Sequence, residues 1–284
     1  MIMANGHLRT TAAFGAAGIV LALCSAAYAA DASRWDGDAQ SAVRLIAGAR
    51  APDAPALRAG IEIRLKPGWH TYWRYPGDSG IPPRFDFKGS DNVKTVDVLW
   101  PAPQRLPVES SISIGYERDV ILPLRVVPQD PKKPVVLRLK LDYAVCEKLC
   151  VPAVAKAELA LSSARTSLDA ALAAAEAQVP KRAALGEAGA ISIKSVKREA
   201  GSPRVRVVVD LAAPAGADVD LFAEGPTAAW AFPLPMPADG APAGLKRFVF
   251  ELDGAPPGAS YDGIAITLTA TAGKDAIEVA TRLD

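Results

Sequence analysis

The sequence predicts an all-β protein made of two antiparallel β-sandwich domains joined by a short Ala-rich helical linker. The 284 residues include 24 Pro and 22 Gly, which separate many short runs of apolar residues. These runs fall into two groups on either side of one Ala-rich stretch. Within the runs, apolar and polar residues often alternate, as Leu137, Leu139 and Leu141 do with their charged neighbours. Such alternation is typical of strands with one face in a core and the other in water.

The first half contains five candidate strands with this apolar pattern. They cover residues 42–47, 61–65, 93–100, 120–127 and 135–143. A further alternation of apolar and charged residues from 155 to 161 returns the chain after Pro152. Cys146 and Cys150 therefore lie on the connection between two predicted strands.

An Ala-rich stretch from 166 to 178 predicts a helix that ends before Pro180, and we interpret residues 164–187 as the linker. The β pattern resumes after it, at residues 191–196, 205–211, 219–222, 246–252, 264–270 and 277–283. Residues 188–284 are therefore predicted to form a second sandwich, comparable to an immunoglobulin-like module. This part of the chain contains no cysteine and no histidine, so nothing in it suggests chemistry.

The N-terminal residues are typical of an export signal. A polar start with Arg9 precedes an apolar run from Ala12 to Ala27, and Ala27-Tyr28-Ala29 fits a small-x-small cleavage site. An uncleaved membrane anchor would need about 20 strongly apolar residues, whereas this run is rich in Ala and interrupted by Gly. We therefore expect residues 1–29 to be a cleaved signal peptide.

Charge and hydropathy exclude two classes of partner. The formal net charge is +1, from 32 basic and 31 acidic residues spread along the chain. This distribution leaves no basic stripe for nucleic acid and no polybasic segment for lipid. No later stretch is apolar enough to span a membrane, so we expect no direct membrane insertion after signal cleavage. Any transmembrane step would belong to a partner.

Cys146 and Cys150 are the only cysteines outside the predicted signal, which contains Cys24. In an exported protein two cysteines usually form a structural disulfide. A bridge that closes so short a loop stabilises a fold by only roughly 2 kcal/mol, and a domain of this size can build its own core. Short loops between strands are exposed, which suits thiol–disulfide exchange. The spacing by itself leaves a redox role and a structural role open.

Two thiolates could also hold Cu(I). The only other soft or imidazole ligands in the mature chain are His70 and Met236, and Met236 lies in the other predicted domain. We therefore predict neither a metal nor another cofactor.

Four motifs occur in order along the first half of the chain. They are Gly68–Pro83, Trp100–Pro103, Gly115-Tyr116 and Tyr143–Pro152. Together they resemble the N-terminal periplasmic domain of the thiol:disulfide interchange protein DsbD, and more closely its suppressor-of-copper-sensitivity branch, ScsB. The resemblance covers roughly residues 40–162, and the second half looks like the added module of the ScsB branch.

This resemblance implies that residues 30–163 form an immunoglobulin-like redox domain in the periplasm, whose cysteine pair cycles between disulfide and dithiol. It implies a membrane-embedded electron donor of the DsbD/CcdA type and periplasmic thioredoxin-like clients. The client itself stays open among a disulfide isomerase, a cytochrome-maturation thioredoxin and a copper-stress protein. Cys150 matches the cysteine that exchanges with the client, and Cys146 matches the one that resolves the mixed disulfide. The chemistry needs no organic cofactor.

The resemblance also implies a cap loop that shields the pair with an aromatic residue. The matching stretch, residues 110–115, has no aromatic residue, so Ile112 or Ile114 would cover the sulfurs by apolar packing. Tyr72 matches a tyrosine beside the pair, and Tyr143 is included among the supporting residues.

Full-length family members continue into a transmembrane domain and a thioredoxin-like domain. This chain ends at Asp284 with neither, so we expect a stand-alone module that separate proteins reduce. The predicted function is periplasmic thiol:disulfide interchange through Cys146 and Cys150. The alternatives are a non-catalytic envelope binding or scaffolding module with a structural disulfide, and Cu(I) binding.

Overall fold

A computed structural model of the protein describes residues 1–2, 30–49, 54–77, 80–108, 111–161, 166–201 and 204–283. The predicted signal peptide lies outside these ranges, apart from its first two residues. Across the described ranges, no helix combines the length and the apolar character needed to cross a membrane. The described residues form antiparallel sheets and a single α-helix, which confirms the prediction of an all-β protein with immunoglobulin-like sandwich domains.

The strands before the helix are β1 (Asp36–Gly37), β2 (Ser41–Ala47), β3 (Leu57–Leu65), β4 (His70–Gly77), β5 (Arg84–Asp86), β6 (Val93–Val98), β7 (Gln104–Val108), β8 (Ser111–Tyr116), β9 (Val120–Pro128), β10 (Val135–Cys146) and β11 (Cys150–Leu161). Helix α1 covers Asp169–Ala177. The strands after it are β12 (Lys181–Arg182), β13 (Ser192–Glu199), β14 (Arg206–Ala212), β15 (Val219–Glu224), β16 (Met236–Ala238), β17 (Lys246–Glu251), β18 (Ala265–Ala272) and β19 (Asp275–Arg282).

Two sheets enclose the core of the first sandwich. One has the strand order β1-β2-β3-β9-β6, and the other has the order β11-β10-β4-β8-β7, with β5 paired to β10. Val43, Ile61 and Leu122 project into the core from the first sheet, and Leu137 and Leu141 project from the second. These side chains are at most 1% exposed, so the alternation in the sequence marks the core face correctly.

The second sandwich has the same plan on a smaller scale. Its sheets have the orders β13-β14-β17-β16 and β12-β19-β18-β15. Every described pairing within them is antiparallel except the short contact between β12 and β19. Its core contains the fully buried side chains of Val209, Leu221, Leu268 and Val279.

Helix α1, predicted as part of the linker, packs against the first sandwich. Leu172 is fully buried, and its Cδ2 atom lies 2.5 Å from the position that a Cβ on Gly48 would take. Arg58 on β3 donates two hydrogen bonds to the Glu176 carboxylate, at 2.9 and 2.7 Å. The absence of a side chain at Gly48 therefore lets the helix approach the sheet.

The two sandwiches also share an interface, in which side chains of the second sandwich extend the core of the first. Phe222 on β15 and Leu234 belong to the same buried cluster as Trp73 on β4, and the Trp73 and Phe222 rings are 5.8 Å apart. At the edge of this cluster, Arg105 Nε donates to Asp220 Oδ1 at 2.6 Å. The interface thus has an apolar centre with ion pairs at its edge.

Candidate functional site

The two cysteines close the hairpin that β10 and β11 form. The strand register runs without a break from the pair Val135–Leu161 to the pair Cys146–Cys150, and residues 147–149 make the turn. The Sγ atoms form a disulfide 2.08 Å long, between Cα atoms that are 4.2 Å apart. Directly opposed antiparallel residues have Cα atoms only about 4.5 Å apart at non-hydrogen-bonded positions. The register of the hairpin therefore brings the two side chains together on one face of the sheet.

That face is the one turned away from the sandwich core. Along β10, Tyr143 and Val145 project into the core, whereas Ala144 and Cys146 project from the opposite face. There they form a small buried cluster with Tyr72 from the neighbouring strand β4. The disulfide consequently lies outside the main core, at the end of a sheet.

The two cysteines differ sharply in exposure. Cys146 is 1% exposed, whereas Cys150 is an exposed residue. The neighbours of Cys150 are exposed and apolar, with Leu149 at 76% and Val151 at 36% exposure. Exchange requires a thiolate to reach one sulfur of the disulfide, and the exposed residue is Cys150.

The Tyr72 hydroxyl contacts both sulfurs. Its Oη atom lies 2.7 Å from Cys146 Sγ and 3.0 Å from Cys150 Sγ. Because a disulfide sulfur carries no hydrogen, the hydroxyl is the donor. Burial raises the pKa of Tyr72, although a hydrogen bond from Ser113 lowers it. The phenol therefore stays protonated at neutral pH and can donate to a sulfur on which negative charge develops.

A comparison with sequence families gives a match over this part of the chain. Residues 42–162 match the family described as "Thiol:disulfide interchange protein DsbD, N-terminal". Residues 42–162 are therefore similar to the N-terminal domain of DsbD. No curated protein sequence matches the chain.

A solved structure matches the chain across both sandwiches. The N-terminal periplasmic domain of ScsB from Proteus mirabilis superposes with a TM-score of 0.69 at 19% sequence identity. The match covers 89% of this chain and 98% of the ScsB domain, so the two proteins share their fold across both sandwiches. Together with the family match, this finding confirms the resemblance to DsbD and its ScsB branch.

The structure places Ile112 and Ile114 away from the position that the resemblance implied. Residues 111–116 form strand β8, which pairs with β4 and β7, and its side chains alternate between the two faces. Ile114 is fully buried in the sandwich core, and Ile112 packs against the same core. Neither isoleucine covers the sulfurs, because the residue of β8 on their face is Ser113.

The Tyr72 ring is instead covered by the chain that follows β4, a contact that sequence reasoning missed. A Cβ added to Gly80 would lie 2.7 Å from Tyr72 Cδ1 and 2.3 Å from Pro76 Cβ. Gly80 therefore packs directly on the tyrosine ring. In the sequence, this contact is indicated only by the absence of a side chain at Gly80.

Tyr143 also has a place other than the one expected. It is 3% exposed in the sandwich core, and its Oη lies 2.7 Å from Ser41 Oγ on the opposite sheet. Burial raises the pKa of Tyr143, and the hydrogen bond with Ser41 lowers it. Because Tyr143 and Cys146 project from opposite faces of β10, Tyr143 joins the two sheets rather than contacting the sulfurs.

His70 lies directly opposite Cys146 in the register between β4 and β10. It is 7% exposed, its ring is 5.5 Å from the Tyr72 ring, and its Nε2 atom is buried without a hydrogen-bond partner among the described residues. Burial lowers the pKa of His70, although the negative charge of Glu117 raises it. The imidazole is therefore neutral at neutral pH.

This environment of His70 makes stability depend on pH. Since the native pKa lies below the unfolded value of about 6.5, the unfolded chain binds the extra proton first as the pH falls. We expect the free energy of unfolding to decrease between about pH 7 and pH 5, and to decrease less in the His70→Gln variant. Urea unfolding of both proteins across this range measures the difference. Equal slopes in the two proteins would contradict the assignment.

His70 and Met236 are the other candidate ligands for a metal ion at the cysteine pair. Within the described ranges, no group of three or more His, Cys, Asp or Glu side chains is placed to hold a metal ion. Met236, the other soft ligand considered, lies next to Arg105, with its Sδ 3.4 Å from Arg105 Nη1. The polar side-chain group shown in contact with both sulfurs is the Tyr72 hydroxyl.

Proposed function

We propose that this protein is a periplasmic thiol:disulfide interchange module. Cys146 and Cys150 would accept two electrons from a membrane-embedded donor of the DsbD/CcdA type and pass them to periplasmic thioredoxin-like proteins. The observation that carries the proposal is the Cys146–Cys150 disulfide in a domain similar to the N-terminal domain of DsbD, with one cysteine exposed and the other buried. A relay needs this asymmetry, because one sulfur must meet the partner while the other stays within reach of it.

In the reducing half of the cycle, a thiolate of the donor attacks Cys150 Sγ. The bond between the donor sulfur and Cys150 forms as the Cys146–Cys150 bond breaks, and Cys146 leaves as a thiolate. The Tyr72 hydroxyl, 2.7 Å from Cys146 Sγ, donates to the charge that develops there. The donor's second thiolate then attacks the donor sulfur that is bonded to Cys150, and Cys150 leaves as a thiolate. The donor ends as a disulfide and this protein as a dithiol, so two electrons and two protons have moved.

In the oxidising half, Cys150 attacks the disulfide of a thioredoxin-like client and forms a mixed disulfide with it. Cys146 then attacks Cys150 Sγ, which restores the internal disulfide and releases the client as a dithiol. The exposed apolar side chains of Leu149 and Val151 flank the reacting sulfur, so the client's surface would pack on them. Each half uses the same exposed sulfur.

A structural disulfide would have little effect at this position. The β10–β11 pairing already holds the two strands together along their full length. A bridge across a three-residue turn adds only roughly 2 kcal/mol in the loop-entropy model. An exchange role gives the pair a function that the hairpin itself does not provide.

The reduction potential of the Cys146–Cys150 pair tests the proposal. We expect a value between about −180 and −270 mV, the range of thioredoxin-like exchange couples. The mature protein would be equilibrated with glutathione or dithiothreitol buffers, alkylated, and its thiols counted by mass. A value below about −300 mV, where structural disulfides lie, would exclude exchange and support the scaffolding alternative.

A further inference from the structure

Strand β4 leaves its sheet immediately after the residues that contact the disulfide. Thr71 pairs with Val145 on β10, and Tyr72 pairs with Gly115 on β8. The next pair between β4 and β8 is Gly77 with Ser113. On the other side, β10 pairs next with β5 rather than with β4. Between these two pairs of β4 with β8, β4 has four residues and β8 has one, so residues 73–76, which we call the β4 bulge, interrupt the regular register.

The second sandwich contacts the β4 bulge through side-chain hydrogen bonds and ion pairs. Arg74 donates two parallel hydrogen bonds to the Glu224 carboxylate, at 2.8 and 2.6 Å, and one to Glu278 at 2.6 Å. The next residue, Tyr75, donates from its Oη to the carbonyl oxygen of Phe232 at 2.6 Å. Each of these partners belongs to the second sandwich. The bulge is thus anchored from outside the domain that contains it.

Arg74 forms a two-point hydrogen-bonded ion pair with Glu224 and a second ion pair with Glu278. Its side chain is 27% exposed, and those of Glu224 and Glu278 are 16% and 23% exposed. The guanidinium also lies over the Trp73 ring, 4.4 Å from its centroid. A two-point arginine–carboxylate contact fixes the direction of the side chain as well as its distance. The pair therefore restrains the backbone of the bulge as well as neutralising a charge.

Tyr72 lies next to both ends of the β4 bulge. Its backbone precedes Trp73 directly, and its ring packs against Gly80 and thus next to Pro76 on the far side of the bulge. After the bulge the chain approaches β8 again at Gly77, where φ is +79° and an added Cβ would lie 2.7 Å from the Ile112 carbonyl oxygen. This close approach requires glycine, which restricts the path of the chain here. Movement of the bulge would displace both the backbone and the cover of Tyr72.

We propose that the second sandwich positions the Tyr72 hydroxyl against the sulfurs through the ion pairs of Glu224 and Glu278 with Arg74. Arg74 is a positioning residue that acts through Tyr72, and the second sandwich is a part of the exchange machinery. This inference rests on the proposed function, since it assigns the second sandwich a task in the same reaction.

A double-mutant cycle tests this coupling. The measurement is the second-order rate at which dithiothreitol reduces the disulfide in the full mature chain. Tyr72→Phe removes the donor to the leaving thiolate, and we expect it to slow reduction about tenfold. The combined Glu224→Gln and Glu278→Gln change should slow reduction about fivefold when Tyr72 is present, and should add nothing in the Tyr72→Phe background. The proposal would be overturned if the glutamate change slowed reduction by the same factor with and without the Tyr72 hydroxyl, or if it did not slow reduction at all.

Asp220→Asn is the matched control for this cycle. It breaks the ion pair with Arg105, which also crosses the interface but starts from β7 instead of the β4 bulge. We expect this variant to be reduced at the original rate. A rate as low as that of the glutamate variant would show a general loosening of the interface and would count against the proposal.

A milder variant covers the case in which the double glutamate change does not fold. Glu278→Gln alone keeps the two-point contact between Arg74 and Glu224, so a slowing of about twofold is expected, again only when Tyr72 is present. The outcome is separate from that of the proposed function, which depends on the reduction potential of the unaltered pair. If the unaltered pair has a reduction potential in the exchange range but the variants slow reduction independently of each other, the proposed function stands and the positioning role is excluded.

Discussion

Replacing Cys150 with serine will abolish exchange, whereas replacing Cys146 with serine will leave a protein that remains bound to its client through a mixed disulfide. The exposed Cys150 is the residue that a partner can reach, and Cys146, at 1% exposure, is the residue that completes the reaction. Without Cys146 no internal thiol can release the client. Without Cys150 no partner sulfur gains access.

Thiol reactivity in the two single-cysteine proteins measures this difference. With 5,5′-dithiobis(2-nitrobenzoate) as the probe, we expect the thiol of Cys150 in the Cys146→Ser protein to react faster by about tenfold or more than the thiol of Cys146 in the Cys150→Ser protein. Circular dichroism of both proteins is the control for folding. Equal reaction rates, or exchange that survives in the Cys150→Ser protein, would show that the assignment of the two cysteines is wrong.

Trp73→Ala will have the largest effect on stability. Trp73 is fully buried, packs against Phe222 of the second sandwich and supports the guanidinium of Arg74 over its ring. Truncation of a buried tryptophan lowers the free energy of unfolding by about 3–5 kcal/mol. Because this side chain belongs to the core that both sandwiches share, the loss should also separate their unfolding transitions.

Guanidinium chloride unfolding, followed by far-UV circular dichroism, would test this prediction. Phe248→Ala is the matched control, because Phe248 is 2% exposed in the core of the second sandwich alone. We expect the control to lower the stability of the second sandwich and to leave that of the first largely unchanged. A loss below about 1 kcal/mol for Trp73→Ala would be typical of a surface residue and would contradict the shared core.

The hairpin that carries the disulfide could be predicted from sequence because its signal is local. Leu137, Leu139 and Leu141 alternate with charged residues, and the same alternation returns after Pro152. Strand periodicity alone therefore placed the cysteines on the connection between two antiparallel strands. In the structure both strands extend further, and the cysteines form the last pair of the ladder. The family motifs then supplied the chemistry that the spacing left open.

The positions of the supporting residues could not be predicted in this way. Alternation along β8 shows that Ile112 and Ser113 point in opposite directions, but it does not show which of the two faces the core. That choice depends on the pairing of β8 with β4 and β7, which are not adjacent to the cysteines in sequence. A cap-loop interpretation therefore assigned the isoleucines to the sulfurs, whereas tertiary pairing turned them inward.

The anchoring of the β4 bulge was also inaccessible from sequence. Arg74 and Glu224 are 150 positions apart, and nothing in the local sequence distinguishes them from the other charged residues of the chain. The bulge itself interrupts the alternation on which strand prediction depends. Contacts of this kind become visible only when both sandwiches are folded.

In the proposed exchange, the unbroken register of the β10–β11 hairpin would limit how long an adduct with a client survives. Reduction breaks the Sγ–Sγ bond but leaves the ladder of hydrogen bonds between the strands, so Cys146 remains directly opposite Cys150. A neighbouring group held in this way acts at an effective concentration far above that of any free thiol. Closure by Cys146 would then outpace glutathione in resolving the adduct, and each encounter would deliver both electrons before the client departs.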